Sequence, residues 1–380
     1  MAETCPKCGY ADVPGDECPR CRVIVSKYRA YLQGLGRGGP VSARAVAPAP
    51  AAPPSQWKPS PAGSAPGGIR RLSFHGSGGS LFGIHIVNVL LTLITLGIYY
   101  FWGKVRVRSY LLSQSEFEGD RFSYHGTGKE LLIGWLKAML VFGIPVGLLA
   151  NLPEFLDAAF EVKVAAGVLA YCIVTVFVPV AMVGARRYRL SRTAWRGIRF
   201  SFRGRVWNFV KLFVGGTLLS LVTLGLYAPF FATKRQGFMV SHSYFGNQKF
   251  DFDGRGRDLF SPYLVAILLT LPTLGLCWIW FAARKRRYFW DHTSVRAARF
   301  HSTVTGGALL GLYVVNLLLL IVTLGLAWPW VKCRNVRFAF RYLTLEGPLD
   351  MAGIQQEAQV AVAATGEGLA SFLDMDFDLG

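Results

Sequence analysis

Charged residues are scarce in this chain of 380 residues. They make up 17% of the sequence, whereas about a quarter of an ordinary soluble domain is charged. Hydrophobic residues reach 52%, and the mean hydropathy over the whole length is +0.35. This shortage of charge argues against a soluble globular protein and predicts an integral membrane protein.

Sequence motifs of the common enzyme classes are also missing. The chain has no serine nucleophile elbow with a matching His and Asp, no Walker loop and no His-Glu-x-x-His motif. Its long uncharged runs contain no acidic residue, which argues against transport coupled to protons or sodium through a buried carboxylate. We therefore predict a protein without enzymatic activity and without catalytic residues.

The chain is rich instead in apolar segments that exceed the roughly 20 residues a helix needs to cross a bilayer. Six such segments lie within residues 74–349, which we assign to one repeat-built membrane domain. They cover about 80–103, 131–152, 164–185, 212–233, 261–283 and 302–331. The predicted fold class is an α-helical polytopic membrane protein with internal repeats, short interfacial β-hairpins and a small N-terminal four-Cys zinc ribbon.

The strongest pattern in this domain is a repeat. The tripeptide Thr-Leu-Gly recurs at 95–97, 223–225, 273–275 and 323–325. Each copy is followed by aromatic and then basic residues, as expected at a membrane–water interface. Segments in which aromatic and polar residues alternate around a turn, such as 117–126 and 245–254, follow the basic flanks. They predict β-hairpins, whose aromatic faces we expect to lie against the membrane or the helix ends.

The charge pattern creates a conflict over topology. The net charge is +19, which we attribute to contact with the anionic cytoplasmic leaflet in preference to nucleic acid. The segments 103–129, 184–211, 232–258 and 282–303 are basic, whereas the loop 151–163 is acidic. The positive-inside rule would place all the basic segments in the cytoplasm, which six alternating crossings cannot do. We favour six spanning helices; in the alternative, the Thr-Leu-Gly segments re-enter the membrane and only 131–150 and 164–185 span it.

Four of the seven cysteines form two Cys-x2-Cys pairs near the N-terminus, at Cys5, Cys8, Cys18 and Cys21. Thiolates at this spacing bind Zn²⁺ tetrahedrally, and a site filled by four sulfurs is structural. Because no signal peptide opens the chain, paired disulfides are disfavoured and we expect a cytoplasmic zinc ribbon over 1–32. A flexible Pro/Gly/Ala linker is predicted over 33–73, and an acidic, partly disordered tail over 350–380.

Three polar residues lie inside apolar segments. His85 and Asn88 are one helical turn apart, and alignment of Thr95 with Thr323 places Asn316 opposite Asn88. Polar residues at matching places in two repeats are typical of a transport path. We prefer the simpler explanation, which is an interhelical hydrogen bond.

Residues 90–134, LLTLITLGIYYFWGKVRVRSYLLSQSEFEGDRFSYHGTGKELLIG, resemble the YjgN-like family of bacterial inner-membrane proteins, a domain of unknown function. The resemblance extends with weaker echoes over 74–349. It implies a multi-pass location in the bacterial inner membrane and no known activity. The N-terminal part is similar to the zinc-ribbon modules attached to many bacterial proteins.

Two functions remain open. We favour a non-enzymatic inner-membrane protein that recruits a partner through its zinc ribbon or organises lipid. The alternative is a transporter or channel whose path is lined by the Thr-Leu-Gly helices, with His85, Asn88 and Asn316 along it. The bilayer is the expected partner in both cases, and the oligomeric state is left open.

Overall fold

The computed structural model of the protein describes residues 68–348, 353, 354 and 356. The chain divides into two units between residues 62 and 63, and every described residue belongs to the second. The predicted zinc ribbon, the predicted linker up to residue 67 and most of the predicted tail lie outside the described residues.

Ten short strands form one closed antiparallel barrel. Each strand pairs with its neighbours in the sequence, and the last strand pairs with the first, so the described sheet has no unpaired edge. The strands are β1 (Arg70–Phe74), β2 (Ser115–Phe117), β3 (Asp120–Tyr124), β4 (Thr193–Trp195), β5 (Ile198–Phe202), β6 (Ser243–Phe245), β7 (Gln248–Phe252), β8 (Thr293–Val295), β9 (Ala298–Ser302) and β10 (Leu343–Glu346).

The barrel divides this part of the chain into five units, which begin at residues 70, 120, 198, 248 and 298. Each unit runs from a long strand through a helical hairpin to a short strand. The first, third and fourth units are 50 residues long, and the second is 78 residues long. Because tight turns between units close one end of the barrel, all five helical hairpins leave from the other end.

The helical hairpins differ mainly in length. In the second unit, one π-helical turn, Met139–Gly143, joins two helices into a continuous limb. The helices are α1 (Gly78–Ile94), α2 (Tyr100–Ser113), α3 (Gly128–Ala138), α4 (Ile144–Phe155), α5 (Phe160–Arg192), α6 (Val206–Val222), α7 (Ala228–Ser241), α8 (Gly256–Leu268), α9 (Cys277–Asp291), α10 (Gly306–Val322) and α11 (Trp328–Arg341).

Each Thr-Leu-Gly sequence forms the sharp turn between the two helices of a hairpin. In the first unit, the Thr95 hydroxyl donates to the Leu91 carbonyl at 2.7 Å and accepts from the Tyr99 amide at 2.9 Å, which bridges α1 and α2. Leu96 and Gly97 follow with φ of 51° and 92°, a region open to glycine and unfavourable for leucine. The other three copies repeat this turn. The tripeptide therefore encodes a break between helices.

Alternating side chains of the strands fill the barrel interior. One set comes from the long strands: Leu72, Phe122, Phe200, Phe250 and Phe300. The other comes from the short strands: Phe117, Trp195, Phe245, Val295 and Leu345. Both sets pack in a single apolar cluster, to which Ile354 also belongs. The described barrel is thus a packed core, as in other barrels of small diameter.

Neighbouring units are joined by an aromatic ring that lies against a glycine. Trp330 in α11 of the fifth unit packs on Gly78 at the start of α1 in the first unit. The same contact recurs at three other junctions, in the pairs Trp102–Gly128, Phe230–Gly256 and Trp280–Gly306. The contact between the fifth and first units, which closes the ring, therefore has the same form as the contacts between consecutive units.

The structure corrects the predicted α-helical polytopic fold class. The apolar segments 80–103, 212–233, 261–283 and 302–331 are not single helices, because a Thr-Leu-Gly turn interrupts each of them. The predicted β-hairpins are not isolated interfacial elements, because they join into the closed barrel. Only two helical limbs in the described chain are long and apolar enough to cross a membrane, so the preferred topology of six spanning helices is wrong. The length of an apolar run does not reveal a turn within it.

Candidate functional site at the hairpin tips

The most exposed large apolar residues of the described chain are the leucines of the Thr-Leu-Gly turns. Leu96, Leu224, Leu274 and Leu324 are each 93% exposed. The helix ends beside these turns expose further aliphatic side chains, including Ile94 and Val222. Apolar surface concentrated in this way is typical of a site that contacts lipid or another protein. The tips of the hairpins are therefore the candidate functional surface.

Basic residues mark the edge of this surface that lies nearer the barrel. In the returning helices the first cation follows the turn threonine by nine or eleven residues, at Lys104, Lys234, Arg284 and Lys332. The helical part of that separation, counted from the first residue of each returning helix, is four to seven residues, or about 6–11 Å at 1.5 Å per residue. Lys332 lies over the Trp328 ring at 5.4 Å, and Lys234 donates to the Tyr227 hydroxyl at 2.8 Å. Such contacts let a cation on an apolar helix reach an aqueous interface.

The second unit extends farther than the others. Its two limbs, Gly128–Phe155 and Phe160–Arg192, contain 28 and 33 residues and are the two candidate membrane spans. The first limb is longer than the 17 residues of α1 by a length of about 16 Å. An apolar crevice of about 200 Å³ lies between the limbs, lined partly by Phe142 and Phe177.

The far end of the long hairpin is acidic. Glu154, Asp157 and Glu161 lie there with one lysine, Lys163, whose Nζ is 3.6 Å from Glu154 and 3.4 Å from Asp157. These pairs leave an excess of negative charge at this end. The ends of the long hairpin therefore carry opposite charge, because its barrel end is basic.

The polar residues predicted inside the apolar segments lie in separate contacts. Asn88 is buried and donates from Nδ2 to the Gly103 carbonyl at 3.4 Å, within its own hairpin. Asn316 is buried and donates to Asn335 Oδ1 at 2.7 Å, also within its hairpin. His85 stacks on Trp328 of the neighbouring unit at 5.0 Å between ring centroids. A transport path that joins the three residues stays a prediction.

Two tyrosine–carboxylate contacts, which the sequence analysis missed, tie returning helices to outgoing helices. The Tyr188 hydroxyl donates to Glu130 at 2.9 Å, and Arg192 donates to the same carboxylate at 2.7 Å. In the fourth unit, the Tyr288 hydroxyl donates to Asp258 at 2.6 Å. Burial and this hydrogen bond raise the pKa of Tyr288 to about 12. The sequence did contain a signal for these contacts, because Glu130 and Asp258 occupy the same position after the start of their units.

The predicted zinc ligands, Cys5, Cys8, Cys18 and Cys21, lie outside the described residues, so the structural zinc site stays a prediction. Within the described ranges, no group of three or more His, Cys, Asp or Glu residues has the arrangement of a metal site.

Similarity to known proteins covers part of the chain. It is 32% identical to the inner membrane protein YjgN of Escherichia coli strain K12 over 167 residues, which are 43% of this chain and 38% of that protein. It is 28% identical to the inner membrane protein YjgN of Salmonella typhimurium strain LT2 over 181 residues, which are 41% of this chain and 43% of that protein. The chain thus matches less than half the length of these curated relatives. No solved structure matches it.

The family match extends over the barrel and all its hairpins. Residues 70–280 and 266–372 both match the model of a bacterial protein family of unknown function, DUF898. The first match begins at the first residue of β1, and the two matches together cover every unit of the ring. The chain therefore belongs to the DUF898 family of bacterial proteins of unknown function.

Proposed function

We propose that this protein is a non-enzymatic platform of the bacterial inner membrane, which organises lipid around its ring of hairpins and recruits a partner through its N-terminal zinc ribbon. The observation that carries the proposal is that all five hairpins leave the same end of one barrel. This arrangement directs every apolar tip to one side of the molecule. The inner-membrane location of the YjgN relatives supports the same placement.

The lengths of the hairpins support a specific depth of insertion into the bilayer. The hydrocarbon core of a bilayer is about 30 Å thick, so one leaflet contributes about 15 Å. In the four short hairpins, the first cation lies four to seven residues after the start of the returning helix, about 6–11 Å along the helix. Its long side chain reaches farther toward the water, so a tip near the midplane keeps the charge at the headgroups. The long hairpin extends about 16 Å farther, enough for the second leaflet. Four hairpins thus re-enter one leaflet and the fifth crosses the bilayer.

The charges support an orientation. The barrel end of the ring carries the basic segments, and the far loop of the crossing hairpin carries Glu154, Asp157 and Glu161. Basic segments stay in the cytoplasm by the positive-inside rule. The barrel then lies at the cytoplasmic face, where the attached zinc ribbon meets soluble partners. This placement agrees with the positive-inside rule for all the basic β-hairpins at once, because every one of them belongs to the barrel.

The packed barrel favours a platform over a transporter. Ten apolar side chains fill the barrel interior, which leaves no evident route for a solute along the axis of the described structure. His85, Asn88 and Asn316 each contact a neighbouring residue directly. In proteoliposomes we expect no solute or ion flux, and we expect capture of a partner that Cys5→Ser abolishes. Flux that Asn88→Leu impairs would favour the transporter instead.

Cysteine labelling in native membranes tests the placement. Lys249→Cys and Arg121→Cys place a thiol on two exposed barrel strands, and we expect both to react with a membrane-impermeant maleimide only from the cytoplasmic side. Asp157→Cys should react only from the periplasmic side, and Leu224→Cys from neither. Peptide mass spectrometry distinguishes these sites from the native cysteines.

Two outcomes would contradict this topology. Opposite accessibility of residues 249 and 121 would mean that the barrel strands do not share one side. Reaction of Leu224→Cys from the periplasm would mean that a short hairpin crosses the whole bilayer. Phe155→Cys is the matched control for Leu224→Cys. Phe155 lies at the end of the long hairpin and is 86% exposed, so the cysteine there should react from the periplasm.

A further inference from the structure

Every unit of the barrel carries a cation at the same exposed position. The third residue of each long strand lies in the barrel core, so the second residue of that strand points to the outside. Neighbouring long strands are two strands apart, about 10 Å around the barrel. All five second residues are basic and exposed, and together they form the cationic belt: Arg71, Arg121, Arg199, Lys249 and Arg299.

The belt lies toward the closed end of the barrel, away from the helical hairpins. Tight turns at this end directly precede four of the long strands. Each belt residue is one position from the start of its strand and three positions from the strand end at which a hairpin follows. At about 3.3 Å per residue, the belt is about 10 Å farther from the hairpins than those strand ends are. This position suits a soluble anionic partner better than lipid headgroups.

Two of the five cations pair with acids of the barrel. Asp251 Oδ1 lies 2.9 Å from Lys249 Nζ, and Asp253 Oδ2 lies 2.8 Å from Arg299 Nη2. The other three cations are consecutive around the barrel, and no acid of the described ranges lies at ion-pair distance from them. The three span four strand spacings, about 19 Å. They form the open arc of the belt: Arg71, Arg121 and Arg199.

The acids beside the open arc contact other residues. Glu118 pairs with Arg70 at 2.6 Å, and Glu116 lies 3.2 Å from His75 Nε2. Glu116 is opposite Arg121 in the register of β2 with β3, so it offsets the charge of the arc only in part. The open arc therefore retains a positive field that attracts anions.

The chain beyond β10 returns to this end of the barrel and reaches the open arc. Ile354 packs in the barrel core, and the Gly353 carbonyl accepts from Asn247 Nδ2 in the turn between β6 and β7. Gln356 Oε1 then accepts from the backbone amide of Arg199 at 2.7 Å. Gln356 is the last described residue, so the chain that follows starts beside a member of the arc.

The segment that follows, 357–380, has the complementary charge. It contains no lysine or arginine and five acids, at Glu357, Glu367, Asp374, Asp376 and Asp378. The last three alternate with apolar residues, so an extended chain places their carboxylates on one face. From Gln356 to Asp374 an extended chain reaches up to about 60 Å, which exceeds the span of the arc.

We propose that the acidic segment 357–380 binds the open arc of its own barrel. Opposite charge supplies the attraction, and attachment at Gln356 gives the acids a high effective concentration at the arc. The segment then covers a cationic surface that otherwise attracts soluble polyanions. The contact depends on the barrel and not on the depth of the hairpins in a membrane, so it stands apart from the platform role.

Carbodiimide cross-linking of the full-length protein in neutral detergent tests the contact. Arg121→Lys keeps the charge and places a primary amine one unit away from Arg199. We expect peptide mass spectrometry to find cross-links from residue 121 to the distal acids at 374, 376 and 378. Their yield should fall by about fivefold or more at an ionic strength of about 1 M, where the Debye length is about 3 Å.

The matched control places the same amine at the opposite end of the barrel. Arg205 is exposed and lies directly before α6, where a hairpin begins, and the acidic segment is long enough to reach it. Arg205→Lys should give at least about fivefold fewer cross-links to the distal acids than Arg121→Lys, because screening weakens attraction to the belt at this range. Equal yields from the two positions would overturn the proposal.

Mixing isotope-labelled and unlabelled protein identifies the chain that supplies the segment. We expect cross-links within one chain. Cross-links that mostly join a labelled chain to an unlabelled one would assign the arc to the segment of a second copy and would contradict the intramolecular contact.

A competing polyanion tests whether the segment covers the arc, with fluorescein-labelled oligothymidylate as the probe. Asp374→Asn/Asp376→Asn/Asp378→Asn should bind the probe about tenfold more tightly than the wild type does, because the tethered competitor is weakened. Addition of Arg71→Gln/Arg121→Gln should remove this gain. Addition of Arg205→Gln/Arg257→Gln, which changes two exposed residues at the hairpin end, should retain it.

Two results of this titration would contradict the proposal. Equal affinity of the wild type and the triple variant would mean that the acids do not compete for the arc, and tight binding by both would assign nucleic acid as its occupant. Equal loss of the gain with both pairs of arginine substitutions would mean that the probe senses overall charge. Unfolding temperatures measured in the same detergent establish that each variant is folded.

Discussion

The indole ring of Trp280 in α9 lies against Gly306, the first residue of α10, in the neighbouring unit of the ring. A Cβ at Gly306 would overlap the indole, whereas a Cβ at the next residue, Gly307, would meet open space. Two adjacent glycines at the start of one helix therefore differ only in whether they form the junction between units.

This difference gives a direct test of the junction. Gly306→Ala should lower the free energy of unfolding by about 1–3 kcal/mol, because an added methyl overpacks the contact. Gly307→Ala should leave it unchanged or raise it by up to about 1 kcal/mol, because alanine favours the helix. Thermal unfolding of the full-length variants in one detergent measures both. Equal destabilisation by the two substitutions would mean that the Trp280 contact does not hold the ring together.

Sequence reasoning found the local parts of this ring and missed its closure. The turn at Thr95 is local chemistry, so the Thr-Leu-Gly spacing reveals the 50-residue unit. The pairing of Arg71 with Thr344 joins distant parts of the chain and leaves no local signal. The second unit is also not recognisable as a copy of the repeat, because its hairpin has no Thr-Leu-Gly turn.

The candidate surface was predictable in composition and not in geometry. The apolar runs and their basic flanks mark a membrane surface directly. The partners of Asn88 and Asn316 were not predictable, because Gly103 and Asn335 face them only after the chain reverses at the turn. The carboxylates at Glu130 and Asp258 became recognisable as equivalent only once the unit boundaries were known.

Tyr288 gives a prediction that depends on pH. Its hydroxyl accepts from the Arg255 amide at 2.5 Å and donates to Asp258. Tyr288→Phe should lower stability at pH 8 by about 1 kcal/mol, the net value of a typical hydrogen bond. An unfolded tyrosine titrates near pH 10, and the folded pKa of Tyr288 is about 12. The folded state thus holds the proton more tightly.

The sign of the pH dependence follows from these two values. The contribution of Tyr288 is fully present below pH 10 and is lost as the pH rises from about 10 toward 12. The difference in unfolding temperature between the wild type and Tyr288→Phe should therefore be largest at pH 8 and should shrink steadily as the pH rises above about 10. Other tyrosines titrate in both proteins and cancel in the difference. A gap that stays constant over this range would contradict the raised pKa.

The predicted zinc ribbon is tested by metal content. Four thiolates at Cys5, Cys8, Cys18 and Cys21 should hold about one Zn²⁺ per chain. Cys5→Ser should reduce the zinc that copurifies with the protein, measured by inductively coupled plasma mass spectrometry. Cys172→Ser is the matched control, because Cys172 is an exposed free thiol in α5, and it should leave the zinc content unchanged. Zinc that is absent from the wild type, or lost equally in both variants, would contradict the ribbon.

Ile354 joins the barrel core from beyond the last strand. Only 8% of the residue is exposed, and it packs in the same cluster as Phe117 and Trp195. Gly353 accepts a hydrogen bond from Asn247 at 3.3 Å, which fixes the segment to the turn between β6 and β7. Ile354→Val should cost about 1 kcal/mol through the lost methyl group. Ile354→Asp should cost about 3 kcal/mol or more, because it buries a carboxylate among apolar side chains.

The matched control for Ile354→Asp is Ile69→Asp. Ile69 lies one residue before β1 and is 62% exposed, so the same substitution should change stability by less than about 0.5 kcal/mol there. Chemical unfolding of the full-length protein, followed by tryptophan fluorescence, compares the two because Trp195 reports on the barrel core. If Ile354→Asp were as mild as Ile69→Asp, the segment after β10 would not complete the core. A large difference would mean that barrel stability depends on residues beyond its last strand, so that deletion of the tail should loosen the ring.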